Sequence, residues 1–248
     1  MNIYSTLNIG EFHANNCEDF LINEQSGTNE VLVAVLDGCT MGDESVFASI
    51  LYGKILRNIA KSKFYTEFAN SDQLSMKDKL KDIVRELIET TKQTKNQLGL
   101  ETNELLSTMI LGVINTKTSE AEFITVGDGL IYVDGKVIEY DQNDKPDYIG
   151  YHLSENFEDW YTKQEQFHSI KHFKNLSICT DGIYTFKNLL NKEKQKSEKE
   201  IFTFLFEDEL HIGNENFLER KVRYLMEKEQ HVVTDDLAII RIKNDSNT

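Results

Sequence analysis

The stretch "EVLVAVLDGCTMGDES", residues 30–45, decides how the rest of the chain is read. Val31 to Leu36 is apolar without a break, which suits a strand covered on both faces rather than one facing water. The run ends abruptly at Asp37-Gly38. An Asp-Gly pair is ordinary turn chemistry, because Asp bonds nearby backbone amides and Gly tolerates positive φ. A carboxylate fixed at the end of a core strand is also a candidate metal ligand.

The same arrangement recurs along the chain. Asp181-Gly182 follows "LSICT", Asp128 sits in "VGDG" at another strand edge, and Asp235-Asp236 precede the strand "LAIIRIK". Glu18-Asp19 come just before "FLI", the start of a further strand candidate. Each of these reads alone as a turn. Together they describe acids bracketing core strands, and strand ends can converge in space. Oxygen-rich, thiol-poor clusters suit Mg²⁺ or Mn²⁺, and a bound cation offsets the repulsion among the acids that hold it.

The 248 residues are 40% apolar, enough for a sizeable core, and no Pro/Gly/Ser-rich linker divides them, so one domain over 1–248 is expected. The formal charge of −15 argues against nucleic acid or an anionic membrane as the main partner. No apolar run approaches the roughly 18 residues of a membrane span. The start, "MNIYSTLNIGEF", lacks the pattern of a secretory signal. Cys17, Cys39 and Cys179 form no CxxC pair, and an odd count without an export signal implies a reduced, cytoplasmic protein. None of the three begins a Cys-x5-Arg phosphate loop, so they read as small thiols rather than nucleophiles.

The expected elements begin with a strand over Asn2–Phe12 and the core strand Val31–Leu36. A helix follows with Val46, Phe47, Ile50, Leu51, Ile55 and Ile59 on one stripe and Asp43 or Ser45 as its cap. A second helix spans about Met76–Leu98. "STMILGVINTKTSEAEFITVGDG" reads as two strands, and "LIYVDGKVIEY" as a hairpin turning at Asp134-Gly135. Asp141–Lys171 is a weakly periodic excursion, whose Tyr148, Tyr151, Phe157, Trp160 and Tyr161 read as packing or as a flap. "NKEKQKSEKE" is a solvated charged run, Phe217–Lys228 a helix, and "LAIIRIK" the closing strand. Consecutive hairpins favour an α+β fold with helices covering antiparallel sheets.

In this order the pieces "NNCEDF", "VAVLDGCTMG", "LLSTMILGVI", "ITVGDGLIYV", "LSICTDGIYTF" and "VVTDDLAIIRI" resemble the metal-dependent serine/threonine protein phosphatases of the PP2C type (PPM family). The resemblance spans nearly the whole chain. It implies an α-β-β-α sandwich of two antiparallel sheets with a two-metal centre at one end. By motif, Asp37 would bridge two Mn²⁺ or Mg²⁺ ions, Gly38 would lend its carbonyl, and Asp181 and Asp235 would complete one shell, with Asp236 as neighbour. Glu18 would serve the other ion, Asp19 would support it, and Asp128 would tie a more weakly held third ion. Thr108 resembles the family's small hydroxyl residue beside that strand.

The departures are Ala14 where an arginine binds phosphate in eukaryotic members, Cys39 where histidine is common, and "GDGL" in place of Gly-Asp-Ser-Arg. "GEFHANNCED" matches a divergent bacterial form and places His13 near the site, as phosphate contact or acid. The implied activity is hydrolysis of phosphoserine or phosphothreonine in protein substrates by direct attack of a metal-activated water. The alternatives are a small-phosphoester hydrolase and a pseudophosphatase acting as a regulatory binding module.

Overall fold

The computed structural model describes residues 1–13, 16–39, 41–42, 45–67, 74–140 and 146–244. Ala14, Asp43 and the beginning of the expected excursion, 141–145, lie outside them. Ser45 opens the first helix, and its side chain is not described.

One antiparallel sheet takes β2 (Asp19–Gly27), β3 (Glu30–Gly38), β4 (Ser107–Asn115), β5 (Ala121–Val126) and β8 (Phe167–Ile170) in that order. The other, equally antiparallel, runs β1 (Asn2–Asn8), β12 (Leu237–Lys243), β9 (Asn175–Cys179), β6 (Gly129–Val133) and β7 (Lys136–Tyr140). A short ribbon pairs β10 (Phe186–Asn188) with β11 (His231–Val233). Helices α1 (Ser45–Thr66), α2 (Met76–Leu98) and α3 (Phe157–Lys163) cover the outer face of the first sheet. Helices α4 (Glu198–Phe202) and α5 (Phe217–Glu227) cover that of the second. This is the α-β-β-α sandwich of the expected α+β class.

β3 shows why its sequence is apolar throughout. Val33 and Val35 point into the core between the sheets, against Ile110, Phe123, Ile178 and Ile240. Leu32, Ala34 and Leu36 point the other way, into the layer of α1 and α2. With both faces covered, period-2 alternation has no polar side to show. α2 has the expected stripe, Leu80, Ile83, Val84, Leu87 and Ile88, capped by Ser75 at its start and left-handed Gly99 at its end.

Two expectations need correction. The first strand stops at Asn8, short of Phe12, because the chain turns at Gly10 to lie against Asp235. The excursion is built rather than irregular: it holds a 3-10 turn (Ile149–His152), α3 and the edge strand β8. Trp160, Ile149 and Leu153 are buried in the α1/α2 layer, which is what orders it, so Phe157, Trp160 and Tyr161 serve packing. The charged run is solvated as expected: a 3-10 turn at Lys192–Lys194 precedes α4, which begins at Glu198 after a Ser197/Glu200 capping box. No described helix is long and apolar enough to cross a membrane.

Candidate metal centre

The acids meet at one end of the sandwich because of strand register. Asp19, the first residue of β2, pairs with Asp37 near the end of β3, and Thr108 of β4 pairs with Asp37 from the other side. The Gly38 amide donates to the Glu18 carbonyl (3.2 Å) and the Cys39 amide to that of Leu106 (3.1 Å), tying the strand end between its neighbours. Asp128 lies where the chain crosses from β5 of one sheet to β6 of the other. Asp181 opens a 3-10 turn directly after β9, and Asp235-Asp236 lead into β12.

Asp37, Asp128 and Asp181 each offer a carboxylate oxygen, and these oxygens lie within 4.8 Å of one another. The donor set is oxygen alone, the choice of hard divalent cations. The electrostatics agree with a cation there. Burial and the charges of Asp19, Asp181 and Asp128 push the Asp37 carboxyl well above the usual range. Burial, with Asp128 and Asp235 beside it, raises Asp181 to about 7. Burial raises Asp19 to about 8, helped by Asp181 and Asp236 and opposed by the Thr180 hydroxyl, which donates to it at 2.6 Å. Such mutual repulsion is what a divalent ion neutralises. The residues present fit one metal ion well.

The remaining acids have different surroundings. Asp236 is 2% exposed and fully engaged: it accepts from the amides of Gly10 (2.8 Å) and Glu18, and its Oδ2 is 2.9 Å from His13 Nδ1. It fastens the N-terminal loop to the entry of β12. Asp235 is half-exposed, with Oδ1 3.4 Å from His13 Nε2. Burial works against charge on His13, but Asp236, Asp235 and Glu18 outweigh it and raise its pKa. Asp128, expected to hold the most weakly bound ion, is thus in the tightest acidic group, while Asp235 stands beside it with His13. Glu18 lies at the mouth of β2, its carbonyl on Gly38. Cys39 and Cys179 are buried and Cys17 is half-buried, its thiol directed to the Asn8 carbonyl at 3.7 Å.

Two glycines hold the Asp235-Asp236 segment in place. A Cβ on Gly182 would sit 1.8 Å from the Asp236 carbonyl oxygen, and one on Gly10 would sit 2.3 Å from the Asp235 carbonyl carbon. What Gly182 admits is the backbone of the β12 lead-in. Tyr148 was read only as an aromatic of the excursion. Its hydroxyl lies near Cys39 and feels the charges of Asp37 and Asp128. No local pattern marks it, because the 3-10 turn carries it to the site.

The raised carboxyls set a pH dependence. A carboxyl whose folded pKa lies above its ordinary value of about 4 stabilises the fold fully below that value and loses the contribution as pH rises through the folded pKa. For Asp181 and Asp19 the loss runs up through about 7 and about 8. In chelator, the melting temperature is expected to fall as pH rises from about 5.5 to about 8.5. Mn²⁺ should raise it, and by more at the alkaline end. A chelated protein equally stable across that range would refute the account.

The chain matches the protein phosphatase 2C family model over residues 11–222 and belongs to that family. With the oxygen-only cluster, this makes it a metal-dependent phosphatase in the general sense. A bacterial serine phosphatase carrying a point substitution is similar in fold, with a TM-score of 0.63 at 14% identity over 99% of each chain. The serine/threonine phosphatase of S. agalactiae gives 0.57 at 16% identity, over 97% of this chain and 98% of that one. RsbX in complex with magnesium gives 0.50 at 16% identity, over 96% and 92%. At these identities the likeness is one of fold. No curated protein sequence matches the chain significantly.

Proposed function

We propose that the chain hydrolyses phosphoserine and phosphothreonine monoesters in proteins, within one phosphatase domain. The supporting observation is the oxygen-only cluster of Asp37, Asp128 and Asp181 at converging strand ends, in a member of this family. In this reading these three hold one Mg²⁺ or Mn²⁺. Asp235, Glu18 and the Gly38 carbonyl extend the site to a second ion, with Asp37 shared. When bound, the ions lower the pKa of a coordinated water and offset charge on the phosphoryl group.

The protein's own part is placement. Asp37 sits rigidly between Asp19 and Thr108 in the ladder, so its oxygens need no reorganisation on binding. Asp19, bonded to Thr180, fixes Asp37 from behind. Asp236 holds Glu18 and His13 at the rim, and in this reading His13 meets phosphate.

The test is phosphate release from a phosphothreonine peptide with Mn²⁺ or with chelator. Mn²⁺ is expected to raise the rate by at least about a thousandfold. Faster turnover of small phosphoesters than of any phosphopeptide would make the chain a metabolite hydrolase. Tight Mn²⁺ binding without turnover of either would make it a binding module.

A further inference from the structure

Breaking a serine or threonine phosphate ester leaves an alkoxide, which needs a proton from a group at the reaction centre. The acids of the cluster are acceptors once a cation neutralises them. His13 is held between Asp235 and Asp236, and the Cys17 thiol is turned to the Asn8 carbonyl. Tyr148 is differently placed. It stands half-buried beside Cys39, two residues beyond Asp37, within the field of Asp37 and Asp128.

Its position is fixed by the turn that carries it. The Asp147 carbonyl lies against Gly127, where a Cβ would come within 2.8 Å of that oxygen. Ile149 is fully buried, and Gly150 packs on the Leu105 carbonyl, 2.4 Å from where its Cβ would be. His152 closes the turn, with Nε2 2.8 Å from Asp147 and Nδ1 2.7 Å from Glu155. The Tyr148 ring meets Tyr151 edge-on at 5.6 Å. Tyr148 is thus half-buried on a turn anchored beside Gly127 and Leu105.

We propose that Tyr148 is a catalytic residue, donating its phenolic proton to the departing Oγ of the substrate serine or threonine. The inference rests on the phosphatase reading above. As the P–Oγ bond breaks, its electron pair goes to Oγ, which takes the proton from Tyr148 Oη. The attacking water forms the new P–O bond and releases a proton to solvent, and the phenolate recovers one from solvent. Serine and phosphate are the only net products and nothing is oxidised. With an ordinary pKa of about 10, a phenol carries its proton at neutral pH, as a donor must.

Tyr148→Phe in the full, Mn²⁺-loaded chain tests this. Phosphopeptide kcat is expected to fall about a hundredfold with KM little changed. Turnover of 4-nitrophenyl phosphate, whose leaving group departs without a proton, should change less than about threefold. Calorimetric Mn²⁺ affinity and thermal unfolding should match wild type. Cys39→Ala, which removes the thiol beside the hydroxyl, should reduce phosphopeptide turnover alone, by less than Tyr148→Phe does. An equal fall on both substrates, or none on the phosphopeptide, overturns the role of Tyr148 while the phosphatase reading stands. A wild type that turns over neither substrate overturns both.

Discussion

Asp37→Asn is expected to remove turnover and, at the same time, to make the metal-free protein more stable. Both effects come from one carboxylate. It contributes an oxygen to the tightest acidic group and pairs with Asp19 across the ladder. An amide keeps the shape but gives up the charge that makes an oxygen-only site attractive to a hard cation. Losing several kcal/mol of phosphoryl charge stabilisation corresponds to a rate loss of at least about a thousandfold. In chelator the same change removes a buried carboxyl on which the charges of Asp19, Asp181 and Asp128 press. Each kcal/mol of relieved repulsion raises the melting temperature by about 2–4 °C in a chain of this size. Activity and melting curves at about pH 8 decide it. A variant that loses activity and also melts lower in chelator would show that Asp37 supports the fold rather than burdening it.

Gly182→Ala is expected to be strongly damaging, since its added methyl meets the shortest contact of any glycine compared. The added carbon would overlap the Asp236 carbonyl oxygen at 1.8 Å, and that oxygen belongs to backbone rather than to a side chain free to rotate. The entry to β12 would have to move, yet Gly10 closes on it from the other side and the Asp235 amide is bonded to Thr185 Oγ1. Overpacking of this kind costs at least about 3 kcal/mol, a fall in melting temperature of about 6–12 °C. Asp235 would be carried out of position, and a misplacement of about 1 Å lowers turnover on the order of a hundredfold. Thermal unfolding and kcat of the purified variant test both parts; wild-type values for either would show that the segment yields freely.

What could be read from the sequence was what local pattern encodes. β3 was legible because burial on both faces leaves an unbroken apolar run, and α2 because its stripe and caps agree. The Asp-Gly strand ends were legible as candidates for the same reason. β8 was not, since it is four residues long at a sheet edge with Phe167 exposed. α3 is seven residues held by Trp160 beneath it, a tertiary cause. The grouping of Asp128 with Asp37 and Asp181 depends on a turn that crosses between sheets. The closure of Gly10 and Gly182 on Asp235-Asp236 joins parts of the chain far apart in sequence. Neither leaves a periodic trace.

β1 lies at the edge of its sheet, and its neighbour is β12, paired from Asn2↔Lys243 to Asn8↔Leu237. During synthesis β1 therefore waits about 230 residues for its partner. At ribosomal speed that is on the order of 10–50 s. Over the same interval Gly10 and Glu18 lack the Asp236 carboxylate that orders them. A chain still on the ribosome thus carries Glu18 and His13 without the carboxylate that fastens them, and the rim of the metal centre closes only once β12 has emerged.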